Sequence, residues 1–102
     1  MENDHLLFID KNAQEISLGR ATAGQPIVPD VDLNDFEAYE AGVSRLHASL
    51  ILSSPTIKVQ DLGSVNGTRV NGKKLDPYTA APLNNGDILT LGKLKIQILV
   101  RK

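Results

Sequence analysis

The sequence predicts an all-β protein, an antiparallel β-sandwich of about ten to eleven short strands. Three observations carry this expectation. Turn-forming Gly, Asn, Asp and Pro recur at intervals of about ten residues along the chain. Between them, short segments alternate apolar and polar side chains with a period of two, as a strand with one buried face requires. Composition agrees: hydrophobic residues make up 41% of the chain, aromatics only 4%, and there is no Trp. The core must therefore be built from Val, Ile and Leu, and the β-branched members of that set pack well on a pleated surface.

The elements follow in order. Leu6-Leu7-Phe8-Ile9 is an apolar run closed by polar Asp10-Lys11-Asn12. Glu15-Ile16-Ser17-Leu18 alternates. Residues 47–52 and 56–60 are the next strands, the second setting Ile57 and Val59 against Lys58 and Gln60, with Ser53-Ser54-Pro55 as turn chemistry between them. Residues 69–75 read as a tight hairpin centred on Asn71-Gly72, because the favoured two-residue turn puts both central residues at φ > 0. Asn84-Asn85-Gly86-Asp87 marks a further turn into Ile88-Leu89-Thr90-Leu91. After Gly92, apolar Leu94, Ile96 and Ile98 alternate with Lys95 and Gln97 in a last strand running almost to Lys102. That strand is expected to pair with the N-terminal one.

Residues 21–44 break the pattern. They hold Gly24, Pro26, Pro29 and Gly42, no Lys or Arg, and the carboxylates Asp30, Asp32, Asp35, Glu37 and Glu40. A long loop is expected here, with one helical turn over residues 34–39 capped by Asn34. The spacing of Asp30, Asp32 and Asp35 lacks the Gly and terminal Glu of an EF-hand loop, so no metal is expected. The acids are read as solvated, with the further expectation that they repel acidic flanks of a ligand and favour basic ones.

Bulk numbers exclude several classes. At 102 residues the chain is expected to be a single domain over 1–102, one module of a longer signalling protein. Eleven basic and 12 acidic residues give a net charge of −1, which argues against a nucleic-acid partner. With no Cys there is no disulfide, thiolate metal site or thiol nucleophile. The acidic start Met1-Glu2-Asn3-Asp4-His5 is no secretory signal, and no apolar run approaches the roughly 20 residues that span a bilayer. A cytoplasmic protein with no membrane association and no cofactor is expected.

Four pieces concentrate chemistry: Gly19-Arg20; Ser44-Arg45-Leu46-His47; Asp61-Leu62-Gly63-Ser64-Val65-Asn66-Gly67-Thr68; and Asn84-Asn85-Gly86-Asp87 with Leu91-Gly92. Loops at one end of a sandwich can converge although distant in sequence. Convergence would gather two guanidiniums, a hydroxyl, a carboxamide and backbone N–H groups. Such a donor-rich set suits an anion with several acceptor oxygens, a phosphate monoester above all. Catalysis would need an orienting acid and an oxyanion site beside Ser44 and His47, and no such set is evident, so the chain is not expected to be an enzyme.

Gly-Arg, Ser-Arg-x-His about two dozen residues later, Ser-x-Asn-Gly-Thr, then Asn-Gly and Gly-Asp together resemble the forkhead-associated (FHA) domain family. The resemblance implies an FHA-like β-sandwich with its ligand site in loops at one end. It also implies a phosphothreonine-dependent protein- or peptide-binding module, with an upstream Ser/Thr kinase. By the same resemblance, Arg20 grips the phosphate, and the Ser44 hydroxyl and backbone N–H bind it. Arg45 adds a second contact, Asn66 bonds the peptide backbone, and Val65 forms part of the wall around the threonine methyl, where many relatives carry Thr or Ser. Gly19, His47, Gly67, Thr68 and Asn71 support the loops: the glycine at 19 permits a turn and the histidine braces from inside. The alternative reading is a phosphate-independent interaction or assembly module on the same scaffold.

Overall fold

Alternation decides the strands. In a computed structural model, described for residues 5–10, 14–26, 28–52 and 56–101, Ile57 and Val59 are buried while Lys58 is exposed, and Leu94, Ile96 and Ile98 are buried while Lys95 is exposed. The Met1 to Asp4 terminus, the Lys11-Asn12 break, the Ser53-Ser54-Pro55 turn and Lys102 lie outside the described residues.

Ten strands occur among the described residues: β1 (His5–Asp10), β2 (Glu15–Gly19), β3 (Val31–Asp32), β4 (Ala48–Ile51), β5 (Ile57–Asp61), β6 (Thr68–Val70), β7 (Lys73–Lys74), β8 (Ala81–Leu83), β9 (Ile88–Leu91) and β10 (Leu94–Arg101). They form two five-stranded sheets, ordered β1-β10-β9-β6-β7 and β3-β2-β4-β5-β8. The all-β sandwich holds, and so does the pairing of first and last strands. That pairing is parallel, with His5 opposite Ile96 and Asp10 opposite Arg101, and β2 with β3 is parallel too; the other strand pairs are antiparallel. Parallel neighbours need a long crossover, and between β1 and β10 the rest of the domain supplies it.

Leu18, Leu50 and Val59 from one sheet and Leu89, Leu91, Ile96 and Ile98 from the other are all 0% exposed and form the core between the layers. The β6–β7 turn is the expected one: Asn71 has φ 50 and Gly72 φ 87, with Val70 opposite Lys73. Two strands escaped the sequence. β3 has only two residues, and β8 contains Pro82, which is tolerated because β8 is an edge strand.

The acidic segment is more ordered than a solvated loop. Leu33, Ala38 and Val43 are buried in the core, and the helical turn is a single 3-10 turn, Asn34–Phe36. Asn34 does not cap it. Leu33 holds the cap position, the Asn34 amide donates to the Ala21 carbonyl, and Asp32 Oδ1 accepts from the N–H groups of Asn34 and Ala21. Those bonds hold the Asp32 carboxyl below the usual range, the Ala21 N–H foremost. Asp30 likewise accepts from the Ser17 backbone and hydroxyl. No helix among the described residues is long and apolar enough to cross a membrane.

Because Leu50 is wholly buried at the centre of its sheet, Leu50→Ala should lower the unfolding free energy by about 2–5 kcal/mol. Urea denaturation measures this, and a loss well under 1 kcal/mol would contradict the central placement.

Candidate functional site

Register gathers distant segments at one end of the sandwich. Leu18 lies opposite Ala48, Ala48 opposite Asp61, and Thr68 opposite Leu91, so β2, β5 and β9 end where β4 and β6 begin. There Gly92 N–H bonds the Gly67 carbonyl (3.0 Å), carrying the β6–β9 ladder one step past Thr68 and Leu91. Lys93 N–H bonds the Ala41 carbonyl (2.8 Å), tying the β9–β10 turn to the segment that leads into β4 of the other sheet. Gly19 is needed for close approach: a Cβ on it would overlap the Arg45 carbonyl oxygen, and its φ is not positive. The expectation that this glycine serves a turn is corrected accordingly. Past it, Arg20 N–H donates to that same carbonyl at 3.1 Å.

Asp61, 2% exposed, organises the 62–67 loop. One oxygen accepts from the N–H groups of Gly63 and Ser64, the other from the hydroxyls of Ser64 and Thr68 at 2.6 Å each. The Ser64 hydroxyl in turn accepts from Gly67 N–H. Burial acts to raise the Asp61 pKa, but the hydroxyl and N–H donors from Ser64 and Thr68 outweigh it, and the carboxyl sits below its ordinary value. Sequence reasoning gave Asp61 no role, although Asp before Leu-Gly-Ser is the composition of a side-chain-capped turn.

His47 is the second brace. It has no exposed surface. Its Nδ1 accepts from Ser44 N–H at 3.0 Å, so the ring hydrogen belongs on Nε2, which donates to the Gly67 carbonyl at 2.8 Å. Burial pushes its pKa down, against opposing contributions from the Gly67 bond and the Asp61 charge. The expected inside-brace role fits this geometry. One expectation changes: Ser44 N–H is already bonded to the ring, which leaves Ser44 only its hydroxyl to offer a ligand. That hydroxyl accepts from Val65 N–H at 3.1 Å, so its hydrogen points elsewhere.

The remaining residues form the rim. Arg20 Nε donates to the Val43 carbonyl (3.0 Å), its Nη1 lies 3.3 Å from the Thr22 hydroxyl, and its guanidinium carbon stands 5.1 Å from the centroid of the Tyr39 ring. Tyr39, 71% exposed, was not singled out from sequence, where nothing distinguishes it from a solvated loop aromatic. Asn66 donates to the Gly42 carbonyl at 2.9 Å, holding the loop that leads into Ser44. Gly42 has φ 81, and a Cβ there would crowd the Asn66 amide. Arg45 is exposed, and Val65 is 87% exposed at the loop tip.

A family model for the FHA domain matches residues 16–92. The chain belongs to the FHA domain family. The protein FraH of a Nostoc species is 40% identical over 80 residues, covering 76% of this chain and 27% of that protein. The FHA domain of an Arabidopsis thaliana hypothetical protein, solved in solution, superposes with a TM-score of 0.61 at 32% identity, over 86% of this chain and 70% of that one. Mycobacterium tuberculosis EmbR, solved in complex with a low-affinity phosphopeptide, gives a TM-score of 0.65 at 26% identity over 83% of this chain and 19% of its own. The chain spans less than half the length of the curated relatives it matches.

Of the FHA motif blocks, the first three converge: Gly19, Arg20, Ser44, Arg45, His47, Val65, Asn66, Gly67 and Thr68 share one end, with Leu91-Gly92 beneath them. Asn71 and the 84–87 turn do not join them. Asn71 exchanges bonds with Ile88 at the start of β9, opposite the Leu91 end, and so pins the β6–β7 hairpin there.

The two buried titratable groups give a pH signature. Both pKa values are lower folded than unfolded, so the unfolded chain takes up protons first. Each contribution is complete above its unfolded value, about 6.5 for His and 3.9 for Asp, and is lost as pH falls from there through the folded value. Stability should hold flat above pH ~6.5, decline below it, and fall again below ~4. Urea titrations across pH check the steps, and ring ¹⁵N NMR at pH 6.5 should show His47 neutral with hydrogen on Nε2. An imidazolium already dominant there would contradict the brace.

Proposed function

We propose that this FHA domain is a non-enzymatic module that binds threonine-phosphorylated segments of partner proteins, in the cytoplasm and downstream of a Ser/Thr kinase. The observation that carries the reading is the convergence of the Arg20 guanidinium and the Ser44 hydroxyl on one rim, beside Asn66. Arg20 is held by Val43, Thr22 and Tyr39, and Ser44 by His47 and Val65. A phosphate seated there meets donors whose positions are fixed before it arrives, so little ordering entropy opposes binding.

In this reading the Arg20 fork and the Ser44 hydroxyl make charge-assisted bonds to the phosphate. Arg45 adds charge from the exposed side, and the Asn66 carboxamide sets the register of the peptide backbone. Val65 presents an apolar tip toward the threonine methyl. Support from relatives comes from EmbR, solved with a phosphopeptide, and from a solved FHA domain, 27% identical with a TM-score of 0.60, studied for phosphothreonine-dependent interactions.

Fluorescence anisotropy with peptide pools carrying phosphothreonine, phosphoserine or threonine tests this. Hydrogen bonds to charged groups contribute about 1.5–3 kcal/mol each, so Arg20→Ala should weaken phosphothreonine binding roughly ten- to hundred-fold and Ser44→Ala about ten-fold. Binding indifferent to phosphate, or a folded Arg20→Ala domain with full affinity, would favour a phosphate-independent assembly module instead. Tyr39→Leu should cost about two- to five-fold by freeing the guanidinium, with Tyr39→Phe restoring affinity because the ring face remains. Equal affinity for Tyr39→Leu and wild type would remove Tyr39 as a positioning residue.

A further inference from the structure

The charged residues of this chain are segregated in a way that the phosphate site does not use. Arg69, Lys73, Lys74, Lys93 and Lys95 account for five of its 11 basic residues, whereas residues 62–101 contain only two acids, Asp76 and Asp87. Register places three of the cations in one row on the outer face of the first sheet. Lys95 is opposite Thr90, Thr90 opposite Arg69, and Arg69 opposite Lys74. All three are exposed. None of them forms an ion pair among the described residues. Arg69, Lys93 and Lys95 also border a shallow groove with Ile88 and Thr90, and no carboxylate lines it.

Edge protection explains part of this. β7 is an edge strand, and lysines there discourage pairing with other chains. It does not explain Lys95 on β10, three strands inward. Nor does it explain why Arg69 and Lys74 are directly opposite, since like charges in that position destabilise a sheet. The row also reaches the phosphate loops. Lys74 Cε lies 3.3 Å from where a Cβ on Gly67 would stand, next to Asn66. Glu37 and Glu40 line a neighbouring groove together with Lys93 and Lys95, so the least compensated part of the row is the Arg69–Lys74 end, nearest the ligand loops.

We infer that this row is a second contact surface for the same ligand: it takes an acidic segment, Asp/Glu-rich or further phosphorylated, that flanks the phosphothreonine. The inference rests on the phosphothreonine reading above. Continuity with Asn66-Gly67 and charge complementarity favour a peptide flank over any separate partner. Four adjacent strands span about 14 Å, the reach of about four extended residues. The acids therefore belong roughly three to seven residues from the phosphothreonine, on one side of it.

The test uses phosphothreonine peptide pools with Glu, Ala or Lys fixed at those positions, on the amino or the carboxyl side. They are measured by anisotropy against wild type, Arg20→Ala, and a double variant carrying Arg69→Glu and Lys74→Glu. One of the two Glu pools should bind wild type about five- to ten-fold more tightly than the Ala pool, and raising salt should erase the gain. The double variant should lose that gain and keep its affinity for the Ala pool. Glu pools no tighter than Ala on either side overturn the inference, as does a gain that survives in the double variant. Capture by phosphatidylserine vesicles through Arg69 and Lys74 without any Glu preference overturns it too. If Arg20→Ala abolishes binding of the Ala pool while Glu confers no gain, the acidic-flank inference fails alone. If Arg20→Ala leaves the Ala pool untouched, the phosphothreonine reading fails with it.

Discussion

The His47 imidazole lies between two loops that come from different parts of the chain, and each of its nitrogens is committed to one of them. Nδ1 holds the backbone of Ser44, and Nε2 holds the carbonyl of Gly67. Both bonds are possible only for the neutral ring in one tautomer, and burial keeps it neutral. Because the ring is rigid and planar, fixing one loop fixes the other. The Ser44 hydroxyl and the Asn66 amide are set against each other by a part of the molecule no ligand touches. Asp61 repeats the device one layer down, tying the start of the 62–67 loop to its end through the hydroxyls of Ser64 and Thr68.

This arrangement divides labour among polar residues. Buried ones, His47, Asp61 and Thr68, spend their hydrogen-bonding capacity on the scaffold, and no buried side-chain nitrogen or oxygen among the described residues lacks a partner. Rim residues hold part of their capacity in reserve. Arg20 uses Nε and Nη1 on Val43 and Thr22, and Ser44 uses its lone pair on Val65. What faces outward is a set of donors already oriented by their other contacts. Preorganised donors are what recognition of a multiply charged oxyanion favours.

Much of this was legible in the sequence, for identifiable reasons. A period of two is written directly into Ile57 to Gln60 and Leu94 to Ile98, and Asn71-Gly72 has one favoured backbone solution. Motif order brought Arg20, Ser44, His47 and Asn66 to notice before any geometry. What stayed hidden depends on tertiary context. Leu33, Ala38 and Val43 follow neither helical nor strand spacing, so nothing local marks them as core. β8 is masked by Pro82, and β3 is too short to show a pattern. Asn34 has the composition of a helix cap, but its side chain is spent on the Ala21 carbonyl and its own N–H on Asp32, two residues earlier, so the turn begins at Leu33 with no side-chain cap. The constraint on Gly19 is the passage of the Arg45 backbone beside it, which no local pattern contains.

The parallel pairing of β1 with β10 has a mechanical consequence. Six residue pairs join the two strands, from His5 with Ile96 to Asp10 with Arg101. His5 lies toward the ligand loops and Arg101 at the far end. Tension applied through these two strands therefore pulls them past each other along their length. Their shared hydrogen bonds are then loaded all at once in shear, where a hairpin pulled from its open end would unzip one bond at a time. Tension entering at β1 and leaving at β10 is thus borne by this whole six-pair ladder.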